Sequence, residues 1–262
     1  MSDGEAPVDP LRAHYAAAAR RAGEAAISPE GSCGTGAPGD SCDPSVEAGC
    51  GDCFGSRHYD PADLDGLPPT AVAASLGCAN PVALADLKAG EVVLDLGSGG
   101  GIDVLLSARR VGPTGWVYGL DMTPEMLELA RANQARAGMT NVEFLEGHIE
   151  AVPLPDASVD VVVSNCVIGL SGRKDSVLRE AFRILRPGGR FAVADVVADR
   201  EIGAPGTAET AEWAACLAGA LTRDQYCAQL AAAGFQDVSI VDSHGVGDAL
   251  SSVLVRARRA FA

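Results

Sequence analysis

The chain is predicted to fold as a doubly wound α/β sheet, and three observations predict it. Strands and helices alternate from residue 91 onward. The first strand, 91–96, is a near-continuous apolar run, as expected of a strand covered on both faces. It leads into the glycine loop Asp95-Leu96-Gly97-Ser98-Gly99-Gly100-Gly101. Helices laid between parallel strands give this architecture, and its ligand belongs at the carboxyl ends of the central strands. With 262 residues and 47% hydrophobic content, the chain suits one large domain plus a short appendage.

The elements follow in order. Residues 10–27 hold an Ala/Arg-rich run with good helix propensity, whose alanines suit a surface or docking helix. Residues 28–57 turn to Gly, Ser, Pro and Asp and carry Cys33, Cys42, Cys50 and Cys53, which predicts a mobile loop. Residues 58–90 read as a connector in which Pro68-Pro69 stops any helix. A helix is expected over 101–110 and a strand over 115–120. Thr123-Pro124-Glu125 opens the next helix, with Thr123 as its N-cap. Strands are expected over 141–146 and 158–164. A helix over 174–185 is closed by Arg186-Pro187-Gly188-Gly189. A strand over 190–197 precedes a helical insert near 207–219. A helix over 222–233 and strands near 236–241 and 251–257 complete the chain. No internal repeat is visible.

The formal charge of −15 and pI of about 4.6 exclude several partners. So acidic a surface repels phosphate backbones and anionic lipid, so neither nucleic acid nor membrane is an expected partner. Aromatics at 5% also disfavour base stacking. No signal peptide or membrane span is apparent, so a cytoplasmic protein is expected. In a reducing compartment the eight cysteines are expected as ligands, redox thiols or core residues rather than permanent disulfides.

Three signals mark a nucleotide-type site. Gly97 and Gly99 let the backbone approach a ligand closely. Asp121 ends the second strand, where a carboxylate accepts both ribose hydroxyls. The segment Gly147-His148-Ile149-Glu150-Ala151-Val152-Pro153-Leu154-Pro155-Asp156 follows the third strand, and Ile149 is suited to pack on an adenine face. Together these resemble the S-adenosylmethionine-dependent methyltransferases of the Rossmann-like class. The resemblance implies a seven-stranded sheet of order 3-2-1-4-5-7-6 with the seventh strand antiparallel, and S-adenosyl-L-methionine as cofactor. It implies that Asp95, Gly97 and Gly99 face the methionine end, that Asp121 holds the ribose, and that Met122 neighbours the adenine.

Three cysteines lie in short distinctive phrases around that loop: Ser75-Leu76-Gly77-Cys78-Ala79-Asn80-Pro81, Ser164-Asn165-Cys166-Val167-Ile168-Gly169-Leu170, and Ala215-Cys216-Leu217-Ala218-Gly219-Ala220-Leu221. Cys166 is expected two residues beyond the fourth strand, at the reactive end of the cofactor, with Asn165 bonding the cofactor's amino acid part. A nearby sulfonium favours the thiolate. Thiolates select soft elements, and three of them converging make a pyramidal site for trivalent arsenic, whose remaining lone pair is free to attack. These phrases, with Val-Leu-Asp-Leu-Gly-Ser-Gly and Gly-Leu-Asp-Met-Thr, resemble the arsenite methyltransferases over about residues 50–257.

That resemblance implies Cys78, Cys166 and Cys216 as the thiols that hold arsenite or its thiol conjugates, and a further N-terminal cysteine, at the spacing of Cys50, in a redox relay. It also implies a thioredoxin- or glutathione-type reductant. The corresponding organisation is an N-terminal helix and Cys-rich segment, 1–57, then a methyltransferase domain, 58–262, with a substrate-side insert near 200–221 after the fifth strand. Two positions depart from the usual phrases: Ala79 stands for a glycine and Gly169 for an asparagine. If the glycine needs positive φ, Ala79 strains the turn by about 1 kcal/mol.

The competing readings are a carbon methyltransferase of the quinone-biosynthesis type, which has no need of three thiols, and a non-catalytic metalloid- or zinc-binding protein. Antimony, another thiophilic metalloid, is an alternative candidate substrate. Cys33, Cys42, Cys50 and Cys53 match no familiar zinc module. Cys227 reads as a core residue, and His14, His58, His148 and His244 receive no chemical role.

Overall fold

The computed structural model describes residues 8–25, 54–200, 219–247 and 249–261. Among the described residues eight strands form one sheet: β1 (Val92–Leu96), β2 (Trp116–Asp121), β3 (Val142–Glu146), β4 (Val159–Asn165), β5 (Leu185–Ala198), β6 (Leu221–Thr222), β7 (Phe235–Gly247) and β8 (Leu250–Arg259). The order is β3-β2-β1-β4-β5-β8-β7, with the two-residue β6 beside β5. Strands β1 to β6 pair in parallel, and β8 runs antiparallel to both β5 and β7. Apart from that short extra strand, this is the expected seven-strand order with its last strand reversed.

The helices are α1 (Val8–Ala25), α2 (Pro61–Leu64), α3 (Pro69–Ala73), α4 (Pro81–Leu84), α5 (Ile102–Val111), α6 (Pro124–Ala137), α7 (Lys174–Ile184) and α8 (Arg223–Ala233). They cover both faces of the sheet. Leu94 and Leu96 of β1 face a core with Val162, Phe191, Val253 and the α7 stripe Val177, Leu178, Ala181 and Ile184. Val93 turns to the opposite core, with Val104, Ala108 and Val111 of α5 and Leu127 and Ala130 of α6. Burying each such aliphatic side chain contributes about 1.5–3 kcal/mol, so the sheet is held by its two apolar faces. Among the described residues no helix is long and apolar enough to cross a membrane.

Several local expectations change. Pro68-Pro69 does not prevent a helix. Pro69 is the first residue of α3, and Pro61 and Pro81 open α2 and α4 in the same way. At a first helical position the missing N–H is not needed and the fixed φ already fits. Helix α7 passes directly into β5 at Leu185, and Arg186–Gly189 is an excursion within β5 rather than a turn before it. Val159 pairs with Leu185 and Val161 with Arg190, so the extra residues loop out where the register shifts. Thr123 occupies the N-cap of α6 without a side-chain cap bond, and its own N–H donates to the Asp121 carboxylate at 2.8 Å. The helical insert expected near 207–219 lies outside the described residues, Gly219 excepted.

Helix α1 packs on α3 and α6. Its Ala18 and Ala19 are buried against Met126, and Tyr15 and Leu129 flank them. Small side chains let the two helix backbones approach, which places Leu11 and Tyr15 along the wall of the main cleft. The exposed Arg20–Glu125 pair (3.4 Å) adds little to that docking.

Candidate active site

The main cleft opens at the carboxyl ends of β1, β2 and β4, where the strand order reverses. Its floor is the loop after β1. Gly97 N and Ser98 N both donate to Leu120 O, at 2.8 and 2.9 Å, which ties the loop to β2. Gly97 has φ +73°, and a Cβ there would lie 2.5 Å from the Val167 side chain. Gly99 has φ +49° and donates its N–H to the Asp121 carboxylate at 2.9 Å. Asp121 therefore accepts from Gly99 and Thr123 together, and its two oxygens are held at the cleft with lone pairs to spare. Met122 and Ile149 line the same cleft.

Asp95 occupies a different place from its glycine neighbours. It is 2% exposed and does not line the cleft. Asp103, to which the sequence reading assigns no role, does line it. The carboxylate of Asp103 accepts from the Tyr59 hydroxyl (2.9 and 3.0 Å) and from Asn165 Nδ2 (3.2 Å). Burial raises the pKa of Asp95 well above the usual range, and the charges of Asp103 and Asp121 add to that. Burial lifts Asp103 to about 6, against the opposing hydrogen bonds of Asn165 and Tyr59. Asp121 is also raised by burial, with backbone donors pulling it back. No salt bridge reaches any of the three among the described residues. Three carboxyls, from β1, α5 and the end of β2, gathered without a cation among the described residues, make a site that favours a positively charged ligand. The Ser98 hydroxyl, buried beside the cleft without a partner, adds a polar group for such a ligand to satisfy.

These shifts carry a sign. An acid whose pKa rises on folding is favoured in its protonated form. Stability is therefore highest below the ordinary carboxylate range and falls as pH climbs to about 6, above which the deficit is constant. For Asp103 that deficit is at most about 3 kcal/mol. Asp103→Asn is expected to unfold at higher denaturant than the parent at about pH 8, with the advantage vanishing near pH 4. Denaturant titrations at the two pH values decide it, and parallel curves would remove burial of charge as the cause.

Of the two described thiols in these phrases, Cys166 lines the cleft and Cys78 does not. Cys166 follows β4 directly rather than two residues beyond it. It is 6% exposed, lines the cleft, and holds φ +60°, a left-handed conformation unusual for a side-chain-bearing residue. Its N–H donates to Ala194 O at 2.8 Å, which keeps the turn against β5. Cys78 is fully buried, and its carbonyl accepts from the Ser252 hydroxyl at 3.0 Å. Asn165 joins the two segments: its Oδ1 accepts from Cys78 N (2.9 Å), and its Nδ2 donates to Ala79 O (2.8 Å) and the Tyr59 hydroxyl (3.0 Å). The amide of Asn165 is thus engaged in holding the Cys78 turn and Asp103. Cys78, Cys166, Ala79, Ala194 and Val196 share one buried cluster.

Ala79 does not adopt positive φ, so the strain expected there is absent. Gly169 lies in the short 3-10 turn Ile168–Leu170, and a Cβ on Gly219 would collide with its carbonyl. Cys216 and Cys50 lie outside the described residues, as do Cys33, Cys42 and Cys53. Cys227 is exposed, not core: Tyr226 and Leu230 form the inward side of α8, and the next position turns to solvent. Cys227→Ser is accordingly expected to leave both stability and any activity of the cleft within about twofold. Steady-state rates and a thermal unfolding midpoint test this, and a tenfold fall would place the thiol in the chemistry.

A methyltransferase domain family matches residues 87–234, more than half of the chain. The arsenite methyltransferase of Halobacterium salinarum is 48% identical over 165 residues, which is 63% of this chain and 42% of that protein. The arsenite methyltransferase of Aquipseudomonas alcaligenes is 44% identical over 161 residues, 59% of this chain and 46% of that protein. The chain thus spans less than half the length of these two curated relatives. Among solved structures, an arsenic(III) S-adenosylmethionine methyltransferase from Chlamydomonas reinhardtii superposes with TM-score 0.61 at 33% identity, covering 76% of this chain and 72% of that one.

Proposed function

This chain belongs to the arsenite methyltransferase family, and we propose that it transfers a methyl group from S-adenosylmethionine to trivalent arsenic held by cysteine thiolates. One observation carries the reading: Asn165 ties the Cys78 backbone to the segment of Cys166, and the two thiols share a buried cluster that Cys166 joins to a cleft walled by acidic residues. A carbon acceptor has no use for those thiols.

S-adenosylmethionine, when bound, supplies an electrophilic methyl group on a cationic sulfur. Asp121 is the group to hold its ribose, Met122 and Ile149 to flank its adenine, and Asp103, with Asp95 buried behind it, to offset its positive charge. Gly97 and Gly99 give the backbone room beside it. The remaining chemistry belongs to the chain. Each thiol that binds arsenite gives its proton to a departing hydroxide, which leaves as water. Cys78 and Cys166, almost closed to solvent, hold the arsenic so that its lone pair faces the methyl carbon. Cys216 supplies the third sulfur. It stands three residues before Gly219, which packs on Gly169, and three residues span at most about 11 Å.

Methylation takes arsenic formally from As(III) to As(V). Two thiols return the electron pair by becoming a disulfide, which a thioredoxin- or glutathione-type donor reduces. Cys50 is the N-terminal member of that relay. In this reading residues 58–262 form the methyltransferase domain, residues 1–57 bring the relay thiol, residues 200–221 roof the substrate, and the protein works in the cytoplasm.

The test is direct. Purified protein is incubated with methyl-labelled S-adenosylmethionine, arsenite and a thiol donor, and the arsenic species are separated. Labelled methylarsenicals are expected. Tight binding of arsenite with no transfer of label would overturn the assignment in favour of sequestration.

A further inference from the structure

Asp195 and Tyr226 form a second buried tyrosine–aspartate pair, on the strand whose backbone holds Cys166. Asp195, in β5, is 4% exposed. Its Oδ1 accepts from Val196 N (2.9 Å) and its Oδ2 from the Tyr226 hydroxyl (3.3 Å). The backbone N–H of Gly169 also donates to it, and the Lys174 charge lies within range. Asp195 follows Ala194, whose carbonyl anchors the Cys166 N–H. On its other side, Val196 pairs across the sheet with Ser252, the residue that holds the Cys78 carbonyl. The pair is therefore built into the backbone frame that positions both thiols. Burial and then the Asp195 charge push the pKa of the Tyr226 phenol up, and Cys78 and Cys166 add smaller contributions, which places both sulfurs within its electrostatic range.

The arrangement mirrors Tyr59 and Asp103. Each tyrosine is buried and donates to a buried carboxylate, one pair at the cofactor cleft and one beside the thiols. Such duplication has a use in this reaction. The arsenic lone pair becomes the As–C bond, and the C–S bond breaks with its electrons going to sulfur. One positive charge leaves sulfur and arrives on arsenic. A site with negative charge at the sulfur end alone would oppose that displacement.

We propose that Asp195, held by Tyr226, is the counter-charge for the arsenic end, favouring the positive charge that develops there as the methyl group arrives. The proposal rests on the arsenite reading. It assigns Asp195 to the transfer step and not to capture of arsenite, because arsenite binds as a neutral species and the cation forms only on transfer. Tyr226 is a positioning residue that keeps the carboxylate fixed and ionised.

The experiment compares the parent with Asp195→Asn, Asp195→Glu and Tyr226→Phe in two measurements. One is the arsenite dissociation constant by equilibrium dialysis. The other is the single-turnover rate of labelled methyl transfer on protein preloaded with arsenite. Asp195→Asn is expected to slow transfer by about 30-fold while arsenite affinity stays within about twofold. Asp195→Glu should recover part of the loss, and Tyr226→Phe should slow transfer by about fivefold. Transfer within about threefold of the parent in Asp195→Asn overturns the proposal, and so does a matching loss of arsenite affinity, which marks a purely structural role. Should Asp195→Asn fail to fold, the same two measurements on Tyr226→Phe decide. A parent protein that binds arsenite but never methylates it refutes the arsenite reading instead, a result separable from any variant effect.

Discussion

Cys166→Ser is expected to reduce arsenite methylation by at least about 100-fold while the fold stays intact. Serine is nearly the same size and accepts the same backbone, so the N–H bond to Ala194 O and the φ of +60° persist. What disappears is the soft ligand. A serine oxygen is a hard donor and binds trivalent arsenic weakly. Cys78→Ser should behave alike, because its backbone is held by Asn165 and Ser252 whatever its side chain. Initial rates with labelled cofactor, beside circular dichroism to verify folding, give the answer. A parental rate in either variant would remove that sulfur from the substrate site.

The second large effect is expected at Asn165. Its Nδ2 donates to Ala79 O, the Tyr59 hydroxyl and the Asp103 carboxylate, and its Oδ1 accepts from Cys78 N. Asn165→Asp preserves the shape and the Oδ1 contact but sets an acceptor against Ala79 O and a further negative charge against Asp103. Leaving a buried carbonyl opposite an acceptor, with like charges adjacent, costs about 2–4 kcal/mol. The Cys78 turn should loosen from Cys166, and methylation should fall at least about tenfold. The added carboxyl is favoured protonated in the fold, so the stability deficit should widen as pH rises from about 5 to 8. Denaturant unfolding and methylation rates at both pH values test this. An unchanged midpoint would mean that the amide donors hold nothing in place.

The parts of this protein read correctly from sequence are those that local chemistry settles. The β1 apolar run, the glycine loop and Pro124 at a helix start each constrain only their own few residues. The errors have physical causes. Pro68-Pro69 was expected to stop a helix, yet proline at a first helical position starts one just as readily, and only the following residues choose. Strain at Ala79 depends on whether its place requires positive φ, and it does not, because Asn165 pins the turn from a different strand. Cys227 was expected in the core because cysteine is usually buried, but the rotation of α8 puts Tyr226 there instead.

By itself, the sequence determined the alternation of strands and helices, the glycine loop and which thiols belong to distinctive phrases, since each is written in contiguous residues; the order of the sheet followed only from the family resemblance. Only the tertiary structure decided that Asp103 rather than Asp95 lines the cleft, and that Tyr59 meets Asp103 and Tyr226 meets Asp195. Tyr59 and Asp103 are 44 residues apart, and Asp195 and Tyr226 are 31 apart. No local pattern announces such contacts, because burial and charge arise only when the sheet brings distant segments together.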